Sequence, residues 1–532
     1  MLAEDFYFKT LSTEDLWKRY CGFLELSAPE FLAIQRTLLE EELRLAADSL
    51  LGRKILGKRP PRTVEEFRAT VPFTTYQDYE PYLSEKREDA LAVRPHTWCH
   101  SAGRSGKFKW VPHSETGMDK VARNVIALFI LCSASRRGHI CINTGLKFLT
   151  ILPPAPYTSG TGFGHLLGRF TFQTIPKIEQ VEGLPFGEQV ALAFELALRD
   201  GFDITGAIAS ILVRMGQQMS GQAVQGPKLS LKLLHPKVIS RMLRAWLRSR
   251  AQNRPIYPRD LWQPKGIIAS GLDMSIYRDE IEKYWGVQPF DVYASTETML
   301  LAMQSWNKKH MTFLPDAVFL EFQPYVTQGK NHDKSPPTLL IDQLEENRLY
   351  EIIISQFHGM PLMRYRLGDV IRVVSIGEGQ SSVKLPQIEV RRKVGEEINI
   401  GGLCSLDERT IWRAIANTGL KYADWTAYKE YANNETFLRL IIELKESKTA
   451  REVSTMMDEA LREIDPDYRD IDRYLGTNPV RTTLISEGAF ASYTQAKIQE
   501  GADLAHMKPK HIEPPPEIIR RLLELGEVKE AE

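Results

Sequence analysis

Phe290-Asp291-Val292-Tyr293-Ala294-Ser295-Thr296-Glu297 begins as an apolar run and ends in small polar residues and a carboxylate. The first half has the composition of a buried strand, and the second that of a loop leaving the strand's carboxyl end. In an open α/β sheet, ligands collect at such carboxyl ends. The stretch therefore points to a layered α/β fold with a site at the strand's exit. There Glu297 offers a hard oxygen to a metal, Thr296 a hydroxyl to a phosphate, and Tyr293 an aromatic face to a base. Ala294 and Ser295 complete the loop. The pentapeptide alone also fits an exposed turn with a structural tyrosine.

Strand and helix signals alternate on either side of this stretch. Residues 148–152, 265–271 and 350–355 are short apolar runs of the buried-strand type, and 190–198 is a helix rich in Ala and Leu. Phe31, Leu32, Ile34, Leu38, Leu39, Leu43 and Leu45 recur at helical spacing near the N-terminus. After about residue 395 the pattern restarts on a smaller scale. A strand at 437–444 is followed by Val453, Met456, Met457, Ala460, Leu461 and Ile464 at helical spacing, then a strand at 480–485. The expected organisation is a large α/β domain over 1–395 and an α+β domain over 396–532.

Charge excludes some functions. The 532 residues carry 68 Lys+Arg against 68 Asp+Glu, which gives no basic surplus for nucleic acid. Cys21, Cys99, Cys132, Cys141 and Cys404 form no CxxC pair, so reduced thiols are expected rather than a zinc site or a disulfide framework. Glu4, Asp5 and Lys9 stand where a secretory leader needs apolar residues, and the run at 125–132 is too short to span a bilayer. A cytoplasmic protein without a membrane partner is the expectation.

Two further segments carry chemistry. Ser101-Ala102-Gly103-Arg104-Ser105-Gly106-Lys107-Phe108-Lys109-Trp110-Val111-Pro112 alternates small residues with Gly before two lysines, a composition suited to close approach of backbone N–H groups to a polyphosphate. Tyr365-Arg366-Leu367-Gly368-Asp369 ends in a carboxylate able to accept from both hydroxyls of a ribose. Tyr157-Thr158-Ser159-Gly160-Thr161-Gly162-Phe163-Gly164-His165 contains GxGxG without the acidic residue of a dinucleotide fingerprint. It is read as a loop beside an acyl pocket, with Phe163 and His165 as contacts, or as a structural turn.

In this order and at these separations, the segments resemble the adenylate-forming superfamily and, within it, the auxin-responsive acyl acid amido synthetases and their bacterial relatives. The stretch Val71-Pro72 to Tyr76-Gln77-Asp78-Tyr79-Glu80-Pro81-Tyr82 and the run Phe319-Leu320-Glu321-Phe322 also look like that branch. The resemblance implies ATP and Mg²⁺ as cofactors, and a carboxylic acid and an amine, expected to be an amino acid, as substrates. It places the site between two domains whose rotation swaps adenylation for transfer. It puts the phosphate loop on Ser101, Gly103, Arg104, Ser105, Gly106 and Lys109, the ribose on Asp369, and base, phosphate and metal on Tyr293, Thr296 and Glu297. Arg392, with Arg391 as rival, matches the hinge arginine. Lys508, with Lys510 as rival, matches the lysine that reaches the α-phosphate during adenylation. Ala102 and Arg104 depart from the family's hydroxyl residues. A coenzyme A ligase and a non-catalytic nucleotide-binding member are the alternatives.

Overall fold

The computed structural model describes residues 1–101, 109–150, 152, 154–184, 186–221, 235–270, 274–325, 337–377, 383–393, 397–401, 404–432, 435–469, 471, 478–499 and 511–526. The chain forms two compact units that part at 394–395.

In the large unit, Thr97–Ser101 (β1) and Lys109–His113 (β2) pair as an antiparallel hairpin, Ser101 opposite Lys109. Leu146–Thr150 (β3), Phe172–Ile175 (β4), Ile204–Ile208 (β5), Gly266–Ser270 (β6) and Pro289–Ser295 (β7) are parallel neighbours in the order β4-β3-β5-β6-β7. Beyond β7 the sheet turns antiparallel. Met299–Gln304 (β8), Met311–Phe313 (β9), Val318–Pro324 (β10), Leu349–Gln356 (β11), Tyr365–Ser375 (β12) and Gln387–Lys393 (β13) continue it in the order β8-β9-β13-β12-β11-β10. The expected α/β layering is present, and the antiparallel half is what the alternation of strand and helix signals did not reveal. β7 is thus the switch point, parallel to β6 on one side and antiparallel to β8 on the other.

Burial explains the composition of the central strands. β8 is buried along its whole length, so its run Met299-Leu300-Leu301-Ala302-Met303 has no polar alternation. The helix Glu115–Ser133 covers this region. Ser114 caps it by accepting from Gly117 N, and its apolar face from Met118 to Cys132 lies in the core.

One expectation is corrected here. Residues 158–167 form the helix Thr158–Leu167, not a loop. Gly160 serves close packing, since a Cβ there would lie 2.2 Å from backbone atoms of Pro154 and Ala155, whereas Gly164 has nothing within 4 Å. Phe163 stacks on Phe148, with ring centroids 4.6 Å apart, and His165 Nε2 lies 2.9 Å from Asp119 Oδ1.

The small unit has its own core, which includes Trp425, Leu438, Leu440, Ile442, Val453, Met457 and Leu461. Glu397–Ile400 (β14) and Cys404–Asp407 (β15) form a hairpin ahead of the helix Glu408–Thr418. Tyr422–Ala432 (β16) pairs antiparallel with Glu435–Leu444 (β17). The helix Ala450–Ile464, capped by Thr449 and Glu452, returns the chain to Val480–Ile485 (β18), parallel to β17.

Candidate active site

The β7–β8 connection is a tight turn: Ser295 pairs with Met299, which takes φ +57°. Ser295 Oγ accepts from Thr298 N (3.2 Å) and bonds Thr298 Oγ1 (3.0 Å), which fixes the turn. Ala294 is exposed, Glu297 half-buried and Thr296 buried.

Three hydrogen bonds tie this turn to the other two segments. His113, the last residue of β2, has Nε2 2.9 Å from the Thr296 carbonyl oxygen. That carbonyl only accepts, so Nε2 carries the proton and donates. Burial lowers the His113 pKa to about 4, which keeps the ring neutral. Tyr365 Oη donates to Glu297 Oε1 (3.3 Å), and Tyr293 Oη donates to Asp369 Oδ2 (2.6 Å). Burial, reinforced by the neighbouring carboxylate, raises both phenol pKa values, so both hydroxyls stay protonated donors. Thr158 Oγ1 donates to Thr296 Oγ1 (3.3 Å), and Gln356 Nε2 to the Glu297 carbonyl (2.8 Å).

The start of β12 is held from below. Arg364, at φ +45°, forms a two-pronged pair with Glu321 of β10: Nε to Oε2 and Nη2 to Oε1, each 2.9 Å. Its Nη1 donates to the carbonyls of Arg68 and Val71. Thr74 N donates to the Arg364 carbonyl, Arg366 N to the Thr74 carbonyl, and Thr74 Oγ1 to the Met363 carbonyl (2.7 Å). The Val71–Tyr79 stretch, noted in the sequence ahead of the phosphate loop, is therefore packed against the Tyr365–Asp369 segment. Tyr76 also reaches the hairpin, where Trp110 N donates to Tyr76 Oη (2.9 Å).

Of the residues singled out in the sequence, Tyr293, Thr296, Glu297 and Asp369 come together. Lys109 lies on β2 with Nζ 5.5 Å from the Tyr76 ring centroid. The backbone of Arg392 pairs with Val370, next to Asp369, while Arg391 Nη2 lies 2.5 Å from Glu389 Oε2. Gly103, Arg104, Ser105, Gly106 and Lys508 lie outside the described residues, as do the side chains of Ser101 and Arg392. His113, Thr158, Tyr365 and the Arg364–Glu321 pair were missed. Tyr365, Thr158 and Glu321 lie within quoted stretches and Arg364 borders one, but the role of each, like that of His113, is set by a partner far away in sequence.

Beside the turn, Glu297, Gln356, His358, Lys120 and Asp316 line a cleft, and Lys120 Nζ is 3.2 Å from Asp316 Oδ2. Glu297 thus offers a carboxylate at a cleft wall. Among the described residues there is no group of three metal-ligating side chains, so a divalent ion at Glu297 would complete its shell with water or phosphate oxygens.

A mixed sheet switches direction at β7, and a hairpin and two carboxylate-bearing segments gather at the turn that follows it. AtGH3.15 acyl acid amido synthetase in complex with 2,4-DB is similar at a TM-score of 0.52, with 17% identity over 97% of each chain. A 2-hydroxyisobutyryl-CoA ligase in complex with 2-HIB-AMP and CoA is similar at 0.51, with 12% identity over 90% of this chain and 88% of that one. Models of the GH3 family N-terminal, central and C-terminal domains match residues 22–170, 311–393 and 409–516. Together they cover well over half of the sequence, and the chain belongs to the GH3 family. A probable indole-3-acetic acid-amido synthetase GH3.1 of Oryza sativa subsp. japonica is 26% identical over 285 residues, 49% of this chain and 44% of the relative. The indole-3-acetic acid-amido synthetase GH3.8 of Oryza sativa subsp. indica is 23% identical over 273 residues. The chain spans under half the length of the curated relatives it matches. Among the described residues, no helix is long and apolar enough to cross a membrane.

Proposed function

We propose that this protein activates a carboxylic acid with ATP and transfers the acyl group to an amine, read here as an amino acid. The observation that carries the reading is the convergence of the β1–β2 hairpin, the β7–β8 turn and β12 through His113–Thr296, Tyr365–Glu297 and Tyr293–Asp369. Membership of a family that includes amido synthetases supports it.

In the first half-reaction an oxygen of the substrate carboxylate attacks the α-phosphorus, and pyrophosphate leaves with the electrons of the broken P–O bond. In the second the amine lone pair attacks the acyl carbon, AMP departs, and the amine proton passes to solvent. Asp369 accepts from the ribose hydroxyls on the carboxylate that Tyr293 orients. The 7% exposure of Tyr293 makes orienting Asp369, more than offering a ring face, its contribution. Thr296 presents its hydroxyl to the α-phosphate from a turn that His113 fixes. Glu297, oriented by Tyr365, would hold Mg²⁺, whose charge would offset that developing on the phosphates. Ser101, Gly103, Arg104, Ser105, Gly106 and Lys109 form the phosphate loop. Lys508 serves adenylation, and Arg392 lies at the hinge between domains 1–395 and 396–532. The five free cysteines support a cytoplasmic setting.

Pyrophosphate release from ATP and Mg²⁺, measured over a panel of aryl and alkyl acids with amino acids, with coenzyme A, and with neither, tests the reading. An amide is the expected product. A thioester would assign the chain to the ligase branch. ATP binding without turnover would mark a non-catalytic member, in keeping with Ala102 and Arg104.

A further inference from the structure

In the large unit, the helix Pro236–Ala251 is held to the body by few and small groups. Val238, Ala245 and Ser249 are its buried residues, Arg241 Nη1 donates to the Leu261 carbonyl (2.9 Å), and Ser249 Oγ donates to the Arg254 carbonyl. Its larger apolar side chains face solvent instead. Ile239 is 52% exposed, Leu243 55%, Trp246 46% and Leu247 54%. At about 100° per residue these four fall on one stripe beside the buried face. The helix also carries Lys237, Arg241, Arg244, Arg248 and Arg250 and no acidic residue. Lys237, Arg244 and Arg248, spaced by seven and four, form a second exposed stripe next to the apolar one. Arg250 lies over the Trp246 ring, 5.2 Å from its centroid.

A helix on a folded body ordinarily turns its large apolar residues inward, because each then leaves water. Here they point outward, and whatever covers them must match both the apolar stripe and the positive charge beside it. A second copy of this chain would set those charges against their own kind across a symmetric contact. A nucleic-acid backbone would pair with the arginines and leave the four apolar side chains in water. An acidic protein groove wraps a helix, and this one already has a face packed on the body. An anionic lipid surface is flat, sets negative headgroups over an apolar interior, and takes both stripes at once. Tryptophan suits that boundary, with an apolar ring and a polar N–H.

We propose that the helix Pro236–Ala251 docks the protein on an anionic lipid surface. Ile239, Leu243, Trp246 and Leu247 enter the boundary between headgroups and acyl chains, and Lys237, Arg244 and Arg248 meet the phosphates. The helix, about 24 Å long, lies in the plane of that boundary and does not cross it. Reversible surface docking thus replaces the expectation of no membrane partner, and it uses none of the residues of the candidate active site.

The test uses the full chain and vesicles of phosphatidylcholine, alone or with about 30% phosphatidylserine, at about 0.1 and 0.5 M KCl. Co-sedimentation should show partitioning to the phosphatidylserine vesicles about tenfold or more tighter, a difference that collapses at the higher salt. Leu243→Ser with Trp246→Ser should weaken it by about tenfold or more, and Arg244→Gln with Arg248→Gln by a similar factor. These four side chains are exposed, so both variants should keep the parent's Tm. Trp246→Phe should bind like the parent but lose most of the quenching by brominated lipid, which separates Trp246 from the rest of the nine tryptophans. Equal partitioning to both kinds of vesicle, parent-like binding of both double variants, or undiminished quenching in Trp246→Phe overturns the proposal. Dimerisation that Leu243→Ser with Trp246→Ser abolishes, without vesicle binding by the parent, overturns it in favour of a second copy.

Discussion

Tyr293 and Asp369 lie 76 positions apart, and their 2.6 Å hydrogen bond is the single contact on which the proposed ribose-binding role of Asp369 most depends. Asp369 is 4% exposed, so removing a donor leaves a buried carboxylate less satisfied. Tyr293→Phe should lower kcat/KM for ATP by about tenfold and Asp369→Asn by more, with smaller effects on the KM for the acid; initial rates at varied ATP check this. A second residue, Glu42, is fully buried, and its Oε2 accepts from Gly359 N (2.5 Å). Burial raises its pKa from 4.5 to about 8. The folded state then holds a proton that the unfolded state releases between these values, so stability falls as pH rises from 4.5 to 8. His113 acts in the opposite sense. With its pKa lowered from 6.5 to about 4, it costs stability as pH falls through that window. Glu42→Gln should match the parent in Tm at pH 5 and exceed it by roughly 2–3 °C at pH 8.5, since the amide keeps the acceptor and cannot ionise. An equal Tm at both pH values would refute the assignment.

At the scale of elements, the Arg364–Glu321 pair joins β12 to β10 beneath the site, with the two side chains 8% and 1% exposed. Arg364→Met removes the two-pronged partner of Glu321, whose carboxylate still meets Arg68 Nε (3.3 Å) and Thr338 Oγ1 (2.6 Å), and should cost about 1.5–3 kcal/mol; adding Glu321→Leu takes the carboxylate from Arg68 as well and should not recover it. Urea unfolding of the three proteins decides. The helix Thr158–Leu167 makes a separate prediction. Gly160→Ala places a methyl 2.2 Å from backbone, so the helix must shift, and the Thr158–Thr296 contact shifts with it. Loss of several degrees in Tm together with adenylation is expected, and an unchanged protein would show that the helix tolerates displacement. This element also shows why the sequence misled: GxGxG reads as a turn by composition, yet a helix accepts glycine where another chain segment must come close.

At the scale of the whole molecule, two cores in two units imply unfolding in more than one step. Calorimetry should give a van't Hoff enthalpy below the calorimetric one; a single two-state transition would contradict the division at 394–395. The sequence by itself determined the strands now seen at Leu146–Thr150, Gly266–Ser270, Pro289–Ser295 and Leu349–Gln356 and the helix Ala450–Ile464, because apolar periodicity is a local consequence of burial on one face or two. It also singled out Glu297, Thr296 and Asp369 as candidates, since they lie in short contiguous motifs. Only the tertiary structure decided that the sheet reverses direction at β7, that His113 and Thr158 hold Thr296, that Tyr365 serves Glu297, and that Arg364 and Glu321 brace β12. Those are pairings across 43 to 183 positions, and no local propensity encodes which distant partner a buried hydroxyl, imidazole or guanidinium will meet.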